Sequence, residues 1–214
     1  MPAVDVNRVS KSFADKAAVK DLSFTLNIGE ILGLIGPNGA GKTTTIRMIM
    51  DIVRPDSGEV AIFGEKWNAG LKKRLGYLPE ERGLYRKLSV IDCIVSLASL
   101  LGMDRQEAER EADELLSRTG MLAHRGRRIE SLSNGMGQLI QFIVAVIHDP
   151  ILVILDEPFS GLDPVNAELL LEAGASPQKI LEYLVRQGTT IRHFASAAPS
   201  LNEIFLLALE ESRA

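Results

Sequence analysis

One cysteine, Cys93, stands alone in the chain, so no intrachain disulfide can form and a reducing compartment is expected. It lies in an apolar helical run, where a buried, inert thiol is the default. No apolar run reaches the roughly 20 residues of a membrane-spanning helix. The first residues lack the basic-then-apolar pattern of a secretory signal. Basic charge is not in surplus. Lys and Arg number 24 against 28 Asp and Glu, a net charge of −4, so bulk charge gives no case for binding nucleic acid. The chain has 3 His, and His124 and His148 stand outside any ligand pattern; no His/Cys cluster has zinc spacing. Internal repeats and low-complexity stretches are also missing. What remains is ordinary. A chain of 214 residues, 46% apolar and 24% charged, fits one or two soluble globular domains with a sizeable core.

Two stretches carry chemistry. Gly36-Pro37-Asn38-Gly39-Ala40-Gly41-Lys42-Thr43 follows the apolar run Glu30-Ile31-Leu32-Gly33-Leu34-Ile35, which reads as a buried strand. It precedes Thr44-Thr45-Ile46-Arg47-Met48-Ile49-Met50, which reads as a helix. Strand, glycine-rich turn and helix form the setting of a phosphate-binding loop. Glycines let successive N–H groups turn inward toward phosphate oxygens, and the helix N-terminus adds partial positive charge. In that reading Lys42 reaches the β- and γ-phosphates and the Thr43 hydroxyl ligates Mg²⁺.

The second stretch is Ile151-Leu152-Val153-Ile154-Leu155-Asp156-Glu157. Five aliphatic residues suit a central parallel strand buried on both faces, and ligands of such sheets sit at the carboxyl ends of the strands. Asp156 is then the candidate Mg²⁺ ligand, directly or through water, and Glu157 the candidate base that polarises an attacking water. Taken alone, an Asp-Glu pair is better read as a loop acid capping the next helix; paired with the phosphate loop, it points to catalysis.

Between the two lies Leu132-Ser133-Asn134-Gly135-Met136. With these in order, the chain resembles the ATP-binding subunits of ABC transporters. The loop is similar to their Walker A motif, residues 151–157 to Walker B, and Ser160-Gly161-Leu162-Asp163 to the D-loop. Residues 132–136 resemble the signature Leu-Ser-Gly-Gly-Gln, with Asn134 and Met136 as departures. Gly76-Tyr77-Leu78-Pro79-Glu80 resembles the Q-loop, Glu80 standing where many members carry Gln, and the run from Glu80 to Tyr85 resembles a bacterial subgroup linked to sodium or drug export. Phe13 fits the aromatic that stacks on adenine, though a lone aromatic near a strand also suits a core. The resemblance implies an α/β nucleotide-binding domain with an N-terminal antiparallel β subdomain, a helical insert over about 84–130, and a small C-terminal α/β remnant. It implies Mg·ATP held by residues 36–44, including Thr44, with Glu80 nearby. It implies a homodimer in which Ser133 and Gly135 of one copy close the γ-phosphate bound by the other, and a separate membrane permease, with this chain in the cytoplasm on the inner face. A plain helix N-cap is the other reading of Ser133, and a solvated patch the other reading of the insert.

The remaining elements follow from local pattern. Residues 4–6, 23–26 and 60–63 read as strands, the last after a turn at 55–58. Ser89 with Asp92, and Asp104 with Glu107, read as capping boxes opening two helices, the second with Ala108, Ala112, Leu115 and Leu116 as its stripe and Gly120 as its end. Arg125, Arg127 and Arg128 read as a solvated basic turn.

After the D-loop the resemblance breaks. The family's next strand, ending in a His at the γ-phosphate, has no clear counterpart. Gly174-Ala175-Ser176-Pro177 ends the helix expected there, and residues 199–206 resemble the subgroup's far C-terminal segment. An internal deletion joining an ATP-binding domain, 1–173, to an accessory segment, 174–214, accounts for this. The competing account makes His193 the switch residue, with Arg192 interrupting its strand. The expected function is ATP-driven solute export. A hydrolytically impaired subunit and a non-transport ATPase acting on ribosomes or DNA are the alternatives.

Overall fold

A computed structural model describes residues 1–34, 36–81 and 83–157. They fall into two compact units, one over Met1–Gly64 and one from Glu65 onward.

The first unit is an antiparallel sheet with one helix. Strands β1 (Pro2–Phe13), β2 (Lys16–Asn27) and β3 (Ser57–Ile62) lie in the order β2-β1-β3. Val6 pairs with Phe24 on one side and Val60 on the other. Val4, Val6 and Val9 are buried, and the step of three between the last two coincides with a shift of register. There Arg8 and Asp21 adopt positive φ, 49° and 46°, and Gly58 does so at 80°. A Cβ on Gly58 would lie 2.4 Å from the carbonyl oxygens of Asn7 and Arg8, so this bulge needs glycine. The strands are far longer than residues 4–6 and 23–26, because the bulges break the alternation that the sequence shows. Helix α1 (Lys42–Ile49) buries Thr45, Ile46, Met48 and Ile49 and packs on all three strands.

The strand expected over residues 30–35 is corrected. Residues 30–34 belong to no strand, and Leu32 is 43% exposed. An apolar run becomes a strand only by sharing a hydrogen-bond ladder, and among the described residues this one joins neither sheet.

The second unit holds α2 (Ala69–Lys72), β4 (Leu75–Leu78), α3 (Val90–Leu100), α4 (Arg105–Arg118), α5 (Asn134–Val146) and β5 (Leu152–Leu155). The strands β4 and β5 pair in parallel, Leu75 with Leu152 through Leu78 with Leu155. The core is helical. Val90, Cys93 and Ile94 of α3, Ala108, Ala112 and Leu116 of α4, and Ile140 and Ile143 of α5 are all fully buried. Each of the large aliphatics contributes about 1.5–3 kcal/mol by leaving water. Both insert helices start where their caps predict. Ser89 Oγ accepts from Asp92 N at 3.2 Å and donates to its carboxylate at 2.5 Å; Asp104 Oδ1 accepts from Gln106 N and Glu107 N. Gly120 follows α4 at φ 70°. Cys93 is the buried thiol expected, and burial pushes its pKa up. The basic turn is exposed, yet it is also tied down: Arg125 Nε donates to Asp113 of α4 at 2.6 Å. β5 departs from expectation. Its four residues are half-buried rather than buried on both faces, and Ile151 is exposed outside it. Among the described residues β4 is its single ladder neighbour.

His148 packs against the start of β4. Its Nε2 lies 3.1 Å from Leu75 O, and its buried Nδ1 has no hydrogen-bond partner. The neutral ring donates from Nε2; protonation would place a second buried donor without an acceptor. Burial accordingly lowers the pKa, against smaller opposing effects of the Leu75 bond and Asp149. The folded value lies below the unfolded one, so this contribution to stability is present above about pH 6.5 and is lost as pH falls. Chemical denaturation of the parent between pH 7 and 5, on the order of one histidine titration, is expected to show that loss. In His148→Gln the profile flattens; an equally steep decline in the variant would assign it to other groups.

Candidate nucleotide site

The loop between β2 and α1 is shaped by its glycines. Gly39 and Gly41 have φ of 82° and 90°, which turns the backbone where a side chain would be strained. Gly41 also passes close to β2: a Cβ there would lie 2.3 Å from Ala18 O. Pro37 O accepts from Ala40 N, closing a tight turn around Asn38 and Gly39. The Lys42 ammonium bends back over this turn, donating to Gly36 O at 2.8 Å and Pro37 O at 3.3 Å. Thr45 Oγ1 is turned inward, donating to Gly41 O at 2.9 Å, while Thr43 and Thr44 are half-buried in the first turn.

Helix starts elsewhere in the chain are closed by side chains: Asn68, Ser89, Asp104 and Ser133 each accept from first-turn N–H groups. Among the described helices of the α type, α1 differs. Its N-cap is Gly41, no side chain caps it, and its first turn carries no acid. A helix start of this kind, entered through glycines and flanked by a lysine, is suited to phosphate oxygens.

Phe13 ends β1, is 51% exposed and lies outside the core, which removes the packing reading. Lys11 Nζ stands 5.7 Å from its ring centroid.

The second unit carries the acids and the signature-like segment. Asp156 directly follows β5, is 2% exposed, and extends the ladder by donating its N–H to Leu78 O at 2.9 Å. Glu157 has φ of 51°, an uncommon backbone for a glutamate, so the chain turns sharply as it leaves the strand. Glu80 is exposed two residues beyond β4. The parallel register therefore sends both acidic segments out from the same end of the two strands. Ser133 caps α5, its Oγ accepting from Met136 N at 3.3 Å, so the N-cap reading holds; Ser133 remains exposed, and Gly135 is buried in the first turn. The D-loop and His193 lie outside the described residues.

Two features escape a reading of the sequence. Gln141 of α5 is 5% exposed and donates from Nε2 to Glu81 O at 3.4 Å, joining the helix that starts at the signature-like segment to the loop after β4. Asp56 binds Lys11 and the Ser12 backbone N–H. Both contacts span more than 40 positions, and nothing local announces them.

Comparison with known proteins places these features in one group. The ABC transporter family matches residues 19–160, and the C-terminal domain described as ATP-binding protein DrrA1-3-like matches residues 150–208. The uncharacterized ABC transporter ATP-binding protein YhaQ of Bacillus subtilis is 48% identical over 168 residues, which are 78% of this chain and 56% of that protein. The Nod factor export ATP-binding protein I of Rhizobium sp. strain N33 is 34% identical over 217 residues, 99% of this chain and 69% of that protein. The chain thus spans little more than half the length of YhaQ. A solved ATP-binding subunit of an ABC transporter superposes with a TM-score of 0.70 at 31% identity, covering 84% of this chain and 75% of its own. The matched stretch contains the glycine loop, the signature-like segment and the acidic strand in one order, and the chain belongs to the ABC transporter family of ATP-binding proteins.

Proposed function

We propose that the chain binds and hydrolyses Mg·ATP to drive export of a solute through a separate membrane permease. The observation that carries this reading is α1: glycine-entered, without a side-chain cap, and covered by Lys42. Loop N–H groups and Lys42 bind phosphate oxygens. The candidate Mg²⁺ ligands are the Thr43 hydroxyl and the Asp156 carboxylate, and the ion would supply charge neutralisation at the phosphates. The donors fit that ion. Both are hard oxygens, the ligand type that Mg²⁺ takes. Glu157 orients and deprotonates the attacking water. Ser133 Oγ and the Gly135 N–H serve the nucleotide of a second copy; Ser133 is exposed enough to do so while capping α5. Phe13 stacks on adenine.

Transport in this reading runs through a separate permease, with the chain peripheral on the cytoplasmic face; among the described residues no helix is long and apolar enough to cross a membrane. Export accords with the Nod factor relative and with the subgroup-like run after Glu80.

A second reading rests on the two family matches. One ends at residue 160 and the other begins at residue 150, an overlap that supports a direct join after the acidic strand. In this reading the deletion is real and the subunit binds ATP but turns it over slowly.

The binding half of the proposal stands on Lys42. Hydrogen bonds from a charged donor are worth about 1.5–3 kcal/mol, so Lys42→Ala is expected to weaken Mg·ATP by roughly 10- to 100-fold. Calorimetry measures this, with circular dichroism showing the fold retained. Equal affinity in mutant and parent would sink the phosphate-loop assignment.

A further inference from the structure

Lys11 has two attachments that the phosphate chemistry does not use. Its ammonium donates to Asp56 Oδ1 at 2.6 Å and stands over the Phe13 ring, 5.7 Å from the centroid. The other oxygen of Asp56 accepts from the backbone N–H of Ser12, the residue between them, at 2.7 Å. The backbone N–H of Asp56 donates to Ser10 O at 2.8 Å. One aspartate therefore grips β1 at three successive residues just before its exposed aromatic. The lysine side chain is only 18% exposed, against 48% for the aspartate. These bonds, that from Lys11 first, hold the Asp56 carboxyl below the usual carboxylate range.

We propose that Lys11, fixed by Asp56, is a positioning and specificity-determining residue for the nucleotide base, acting through Phe13. A cation on one face of an aromatic ring is attracted by its π density and draws that density toward itself. The far face becomes a better stacking partner for an electron-rich purine. The bond to Asp56 at 2.6 Å holds the ammonium on β1 beside the ring rather than leaving it free to follow a phosphate, so its effect falls on the base. The role rests on Phe13 stacking on adenine.

The test compares ATP with inorganic tripolyphosphate, a probe with phosphates and no base, by calorimetry on the full chain. Lys11→Met is expected to weaken ATP about 2- to 5-fold, as an exposed cation–π contact implies, and to leave tripolyphosphate unchanged. Lys11→Arg, which keeps the cation and the pairing, restores ATP affinity. Asp56→Asn weakens ATP in the same direction as Lys11→Met. In a Phe13→Ala background Lys11→Met has no further effect. Equal losses for ATP and tripolyphosphate would overturn the proposal in favour of a direct charge or folding effect. So would unchanged ATP affinity in Lys11→Met while Phe13→Ala is costly, and that result leaves the stacking role of Phe13 intact. A silent Phe13→Ala removes the stacking reading itself, and the Lys11 role with it.

Discussion

Replacing Glu157 by Gln is expected to lower single-turnover ATP hydrolysis by about 10²–10⁴-fold, the usual contribution of a group that handles the proton of a nucleophile. The substitution keeps the size and shape of the side chain and removes its basicity. Affinity should be little changed, because the proposed reading gives the phosphates to Lys42 and the loop amides rather than to this residue. With hydrolysis blocked, ATP stays intact between two copies, and the variant should form more dimer in ATP than the parent. Light scattering with and without ATP measures this, and a filter assay measures the rate. Equal single-turnover rates in parent and variant would remove Glu157 from the chemistry. If the parent is already as slow as the variant, the impaired reading gains, and Glu157→Gln then changes neither quantity. A monomer at every ATP concentration would count against the two-copy arrangement.

Gly76→Ala should be among the most damaging single methyls in the described chain outside the loop. An ideal Cβ there would lie 2.2 Å from Ala145 O and 3.0 Å from Pro150 Cγ. The first neighbour is backbone in α5 and cannot swing away; the second is a ring. Overpacking of this kind costs typically 1–3 kcal/mol, and a backbone clash belongs at the upper end of about that range. For a domain of this size each kcal/mol moves the midpoint by roughly 2–4 °C, so a fall of about 6–12 °C is expected in thermal denaturation. A midpoint within one or two degrees of the parent, roughly the resolution of such a scan, would show that α5 can retreat from β4. Because Gln141 also ties α5 to the segment after β4, the variant should disturb residues around Glu81 as well.

These contacts mark where the sequence stops being informative. Helix starts were legible because Ser89, Asp104 and Ser133 act within three residues of themselves. The parallel strand 152–155 was legible from an unbroken aliphatic run, and the phosphate loop from glycine spacing. The run 30–34 has the same aliphatic character, yet strand formation depends on a neighbour that composition does not reveal. β1 and β2 looked short because the bulges at Arg8 and Asp21 reset a two-residue period. Gly76 looked like any motif glycine, and its reason is a helix some 70 positions away. The role proposed for Ser133 came from resemblance, since no spacing rule separates a cross-subunit hydroxyl from a simple cap, whereas that of Glu157 came from its place at the end of an aliphatic strand in a chain with a phosphate loop.

The bare start of α1 has a thermodynamic meaning of its own. Other helices bring their own closure, and their stability is settled when the chain folds. α1 leaves its opening turn to be completed by whatever anion enters the loop. A ligand that binds the folded form alone raises stability in proportion to the logarithm of its concentration. If the nucleotide binds as proposed, it closes this helix as well as occupying the loop, and how firmly this part of the protein holds together then varies with nucleotide concentration.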